Sequence, residues 1–180
     1  MIFGTGEYYH VYNRGVDKRT TCLDDEDFHS FTYFIGRSKH DIDTGKHLVN
    51  VHAYTLMPNH FHFLVEQTSD DGVARFMQRL GTSYTREFNR KYDRNGCLFA
   101  SRYHAKHVDT DAYLASVAAY IHRNPLDIKG FETIEALDTY PWSSYPHYRN
   151  LAKSPMVDGA MLLDFFGGTS HVQAFHRKNP

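Results

Sequence analysis

The chain has little cysteine, a single tryptophan, almost no net charge and no long apolar run. Its two cysteines, Cys22 and Cys97, are far apart and form no CxxC pair, which argues against a disulfide framework or a thiolate zinc site. No apolar stretch approaches the roughly 18 residues of a membrane span, so no membrane partner is expected. The opening MIFGTGEYYH lacks a basic segment followed by an apolar one. No export signal is read there, and a cytoplasmic location is the expectation. Histidine, tyrosine and phenylalanine are plentiful, at 13 each. The 180 residues suffice for one domain with a real core, or a core with an appendage.

The net charge of −1 conceals an uneven distribution. Between Arg75 and His107 eight cations face two anions, whereas the rest of the chain carries 12 cations and 19 anions. Concentrated Lys and Arg suit a polyanion, because each phosphate they meet releases condensed counterions. A solvated helix face is the alternative that charge alone leaves open.

YYHVY (8–12) reads as a strand followed by the turn NRG. DDEDFHSFTYFIGRSK from Asp24 opens with acids suited to a helix start and repeats Phe28, Phe31, Phe34 and Ile35 at helical spacing. HLVNVHAYTLM (47–57) alternates Val49, Val51 and Ala53 against Asn50, His52 and Tyr54, and HFHFLVEQ continues after Pro58, so a hairpin is expected. Residues 71–92 place Val73, Phe76, Met77, Leu80, Tyr84 and Phe88 on one helical face. CLFASRYHAKHV (97–108) alternates as a strand, and 109–124 runs from acids to a stop at Pro125 as a third helix. The order β, α, β, β, α, β, α predicts an α+β, ferredoxin-like antiparallel sheet with helices packed on one face. Residues 131–180 are expected as an irregular C-terminal extension packed on the domain of residues 1–130.

On a strand, His60 and His62 share one face while Phe61 and Phe63 take the other, so both imidazoles can reach one ion. An HxH pair by itself is weak in a chain this rich in histidine. The third helix offers Tyr120 and Asn124, four residues apart on one face: a hydroxyl that can attack a phosphate and an amide oxygen that can bind a cation. Core packing of the Tyr120 ring and a helix-ending role for Asn124 before Pro125 are the structural alternatives.

Taken together, YHVYNRG, MPNHFHFLV, FNRKYDRNGCLFASRYHAKHV, YIHRNP and YPWSSY resemble, in order and approximate spacing, the single-tyrosine HUH transposases. The nearer likeness is to the branch of REP-associated tyrosine transposases. It covers residues 8 to about 148, and nothing after about 150 carries a motif over. The resemblance implies His60 and His62 as the metal pair around the hydrophobic Phe61, Asn124 as third ligand, Tyr120 as nucleophile, and a ferredoxin-like core. It further implies single-stranded or hairpin DNA of repetitive-palindrome type as partner, and strand cleavage through a 5′-phosphotyrosine. Two imidazoles and an amide by themselves favour manganese or zinc; the resemblance implies magnesium or manganese.

For the DNA, Arg86, Arg90, Lys91 and Arg94 on the basic helix and the turn after it are expected phosphate contacts. Arg102 should sit nearer the active site, with Arg14 a further candidate. The competing readings are a replication-initiator or relaxase-like nickase of the same chemistry, which the YIHRNP context disfavours, and a non-catalytic nucleic-acid-binding module. Monomer and homodimer are both compatible with the motifs.

Overall fold

The computed structural model of the chain describes residues 3–178. Strand β1 (Tyr8–Arg14) leads to helix α1 (Asp25–Ser38), a hairpin of β2 (Val49–Met57) and β3 (His60–Gln67), helix α2 (Gly72–Lys91), β4 (His104–Val108) and helix α3 (Asp111–Arg123). The four strands form one antiparallel sheet in the order β2-β3-β1-β4, the α+β arrangement expected. Local chemistry sets the helix starts. The Asp24 carboxylate accepts from the Asp27 backbone N–H at 3.0 Å, ahead of three acids in the first turn of α1. Thr110 caps α3 in the same way, through Tyr113 N–H. At the start of α2 the chain passes so close to β2 that a Cβ on Gly72 would lie 2.1 Å from the Leu48 carbonyl oxygen.

One sheet face buries Val11, Phe61, Phe63 and Val65 against Phe31 and Ile35 of α1 and Phe76, Leu80, Tyr84 and Phe88 of α2. The opposite face offers Ala53 and Leu64 to Leu114, Val117, Ala118 and Ile121 of α3. Helices on a single face therefore describes α1 and α2 but not α3. Leu64 reaches this second apolar surface by the alternation of β3, and Ala53 joins it because the register shifts between Val51 and Ala53. The shift turns Ala53 toward α3 and Tyr54 into the α1–α2 core, where unbroken alternation would have kept Ala53 beside Val51.

The strand expected over 97–108 is shorter, since β4 begins at His104 and Phe99 makes only an isolated bridge to Gly15. Between them the Asn13 side chain donates to the carbonyls of Ser101 and Arg102, replacing ladder bonds and letting the chain swing out. Beyond residue 131 the chain wraps the outer edge of β2. Leu56 N–H donates to Trp142 O, Ser144 N–H to Tyr54 O, Tyr148 Oη to His52 O and Tyr140 Oη to Leu56 O. This covers backbone groups that an edge strand would otherwise expose. Short helices α4 (Tyr145–Tyr148), α5 (Ala160–Phe165) and α6 (Val172–Lys178) follow, and α5 and α6 pack on α3. Among the described residues, no helix is long and apolar enough to cross a membrane.

Candidate active site

Antiparallel pairing puts Tyr12 of β1 directly across from His62 and Arg14 across from His60, all on the sheet face that α3 covers. The turn that launches β3 is pinned from the β1–α1 loop: Gly15 N–H donates to Asn59 O, and the N–H groups of Thr21 and Cys22 share Pro58 O. On the other side, Thr55 Oγ1 donates to Ile121 O at 2.7 Å, fastening the end of α3 to β2. Asn124 precedes Pro125 yet stays helical (φ −49°, ψ −39°), continuing into a 3-10 turn over Asn124–Asp127. Its amide thus remains in the helical row of Tyr120, against the usual restriction on residues before proline.

The structure brings the four expected site residues into one neighbourhood. The His60 and His62 rings are 5.2 Å apart and perpendicular. The Tyr120 ring stands edge-on to His62 at 5.6 Å and is 50% exposed, so it is not a core aromatic. His60 Nε2 lies 3.4 Å from Asn124 Oδ1, and His60 Nδ1 lies 2.7 Å from Asn59 Oδ1. Both amides are oriented by backbone: Asn124 Nδ2 donates to Tyr120 O and Asn59 Nδ2 to Lys18 O. His60 therefore faces an acceptor oxygen at each ring nitrogen. A neutral imidazole has one N–H and satisfies one of them, and the shorter contact assigns it to Asn59. Nε2 and Asn124 Oδ1 are left as two lone pairs facing each other, an arrangement that a bound cation relieves.

Electrostatics keeps the rings neutral. Burial pushes the His62 pKa down to about 3, with His10 and His60 adding to the shift. Burial also lowers His60, opposed by the Asn124 contact and assisted by Arg14. Burial, then Lys106, takes His10 to about 4. Neutral imidazoles are what a cation requires of these ligands at neutral pH. Among the described residues, no group of three or more His, Cys, Asp or Glu could hold a metal ion. Two imidazoles and one amide oxygen could serve as a donor set, one that would fit a divalent ion keeping its remaining positions for water and phosphate oxygens.

Beside this cluster a groove of about 410 Å³ opens between α3 and strands β1 and β4, with Tyr12, Lys106, Tyr113 and Tyr120 on its walls. Of the expected DNA contacts, Arg14 is exposed next to His60, and Arg102 is exposed just ahead of β4. Arg86, Arg90, Lys91 and Arg94 belong to α2 and its C-terminal turn, the layer on the other side of the sheet. Arg90 pairs with Glu87, and Arg94 donates to Asn89 and lies over the Phe88 ring. Lys91 is engaged most heavily, by Asp24, Glu26 and the buried Asp27 of α1.

Two residues at the centre of the site are not found from the motif chemistry: Asn59, bonded to His60, and His10, whose Nε2 is 2.9 Å from His62 Nδ1. Their signals were positional. Asn59 immediately precedes the HxH pair, and His10 lies on the same face of β1 as Tyr12.

Residues 8–124 match the model of a family described as IS200-like transposases. Among solved structures the chain is similar to a REP-associated tyrosine transposase bound to a REP hairpin, with a TM-score of 0.61 over 89% of this chain and 93% of that one. At 13% sequence identity this likeness is one of fold. No curated protein sequence matches the chain.

Proposed function

The chain belongs to the IS200-like transposase family, and from that premise we propose that it cuts and rejoins single-stranded DNA through a covalent phosphotyrosine on Tyr120. The supporting observation is the convergence of His60, His62, Asn124 and a half-exposed Tyr120 from β3 and α3 of one chain. His60 Nε2, His62 and Asn124 Oδ1 would hold a magnesium or manganese ion. When bound, that ion supplies Lewis-acid charge to a non-bridging oxygen of the scissile phosphate.

Tyr120 is the nucleophile. Its Oη attacks phosphorus, its proton passes to the water that its exposure admits, and the bond to the 3′ oxygen breaks, that oxygen taking a proton from solvent water to become a free 3′-OH. The 5′-phosphate stays on Tyr120, and because the ester conserves the bond, a 3′-OH can later attack it and rejoin the strand without ATP. Arg14, beside His60, holds a phosphate flanking the scissile one, whereas Arg102 lines a groove with Gln78, Thr82 and Thr85 of α2 and contacts DNA farther from the cut. Arg86, Arg90 and Arg94, in the far layer, contact DNA away from the cut. Lys91 is assigned to tying α1 to α2 instead, because a phosphate would have to compete with three carboxylates for its ammonium.

The substrate class proposed is single-stranded DNA next to an imperfect hairpin, a reading supported by the similar transposase structure, which is bound to a REP hairpin. A cytoplasmic setting gives access to it. A labelled hairpin oligonucleotide with manganese should yield a protein–DNA adduct on a denaturing gel, lost on chelation and in Tyr120→Phe, while Tyr120→Phe still binds the DNA. An undiminished adduct in that variant would move the nucleophile to another residue.

A further inference from the structure

His10 is 7% exposed on β1, and no step of strand transfer uses it. Its ring stacks on His62 with centroids 5.1 Å apart and planes at 27°, and Nε2 lies 2.9 Å from His62 Nδ1. Tyr12 stacks on His62 as well, at 5.6 Å and 23°, so the His62 plane is held by two side chains of one strand. A hydrogen bond between two imidazole nitrogens carries one proton, and its direction has a consequence. If His10 donated, a neutral His62 would carry its own proton on Nε2 and have no lone pair left for a cation. If His62 donates from Nδ1, its Nε2 lone pair is free.

We propose that His10 is a positioning residue that accepts the Nδ1–H of His62, fixing the tautomer and plane in which Nε2 can bind a divalent cation. The inference rests on reading His60, His62 and Asn124 as the cation site. It gives the two imidazole ligands parallel support from unrelated parts of the fold: His60 Nδ1 is held by a loop amide, Asn59, and His62 Nδ1 by an imidazole of β1. Hydrogen bonds to the second nitrogen of a ligating histidine orient the ring and raise its basicity, and losing one typically costs about 10–100-fold in metal affinity. β1 lies between β3 and β4, so His10 is positioned from both sides of its strand.

Two measurements test this. Manganese affinity, read from the free-ion magnetic resonance signal and from metal-induced thermal stabilisation, should fall about 10–100-fold in His10→Phe and recover in part in His10→Gln, which restores an acceptor. His10→Phe binding manganese like the parent while His60→Ala does not would overturn the role of His10 and leave the cation site standing. Undiminished binding in His60→Ala would remove the cation site itself, and this inference with it. Independently of any variant, long-range imidazole nitrogen spectra of the metal-free parent protein should show His62 protonated at Nδ1 and His10 bare at Nε2. A proton on His62 Nε2 overturns the inference.

Discussion

Mild acid should loosen the C-terminal helix from the helix that carries Tyr120. His122 of α3 and His176 of α6 are both fully buried and share an Nδ1 to Nε2 hydrogen bond of 2.9 Å. His176 Nδ1 donates to Val172 O at 2.7 Å, so its Nε2 accepts from His122 Nδ1–H, and His122 Nε2 in turn accepts from the Ser144 hydroxyl at 2.7 Å. With both rings neutral every proton in this chain has a place, and an added one would have to turn the Ser144 hydroxyl toward the longer contact with Tyr54 O at 3.3 Å. Burial, helped by Arg123 and opposed by the Val172 bond, pushes His176 down to about 4, and burial with His176 and His147 takes His122 well below its usual range.

In the unfolded chain a histidine titrates near about 6.5. Below that pH the unfolded state binds a proton that the folded state refuses. The stability contributed by neutral His176 is therefore complete above about pH 6.5 and falls by up to about 1.4 kcal/mol per pH unit toward pH 4, for a total on the order of 3 kcal/mol. Urea unfolding at half-unit pH steps from 7.5 to 4.5 would measure the slope in the parent and in His176→Phe. The variant should start less stable, because His122 Nδ1 loses its acceptor, by about 1–3 kcal/mol. It should also show a shallower pH dependence, with one fewer proton taken up on unfolding. Equal slopes in the two proteins would refute the reasoning.

Arg14→Ala should weaken DNA binding and reduce its logarithmic salt dependence by about one unit, as expected for one lost phosphate contact. Lys91→Ala should instead leave that salt slope nearly unchanged and lower stability by about 2 kcal/mol, because Asp27 is 3% exposed and would lose its cationic partner. Salt-titrated binding and denaturant melts on both variants separate these outcomes, and a large change of slope in Lys91→Ala would return that residue to the DNA interface. Gly72→Ala should destabilise the fold by about 1–3 kcal/mol, since the Leu48 backbone must shift to admit a Cβ. Unchanged thermal unfolding in that variant would show that the β3–α2 junction yields freely.

Much of the architecture was legible because it rests on period. Phe28, Phe31 and Ile35 in α1, and Phe76, Leu80, Tyr84 and Phe88 in α2, repeat at helical spacing and all enter the core. His60 and His62 occupy one sheet face because side chains on a strand alternate. What periodicity misjudged were places where a specific contact outcompeted it. The register shift at His52 exchanged the faces of Ala53 and Tyr54. The Asn13 amide shortened β4, and Asn124 kept helical geometry ahead of a proline.

The candidate site divides along the same line. Residue type and spacing made His60, His62, Tyr120 and Asn124 candidates, since an alternating pair and an i, i+4 pair each define a shared face whatever surrounds them, and the family resemblance supplied their expected roles. Whether those two faces meet depended on α3 crossing to the side of the sheet opposite α1 and α2, which is set by how far-separated apolar surfaces pair and has no local signature. The same holds for the roles of the charged residues. Eight cations between Arg75 and His107 are visible in the chain, but packing decided that Lys91 faces the carboxylates of α1 while Arg14 stands beside His60. Local chemistry is written residue by residue, whereas partners distant in sequence are selected by burial and register, which exist only once the sheet has formed.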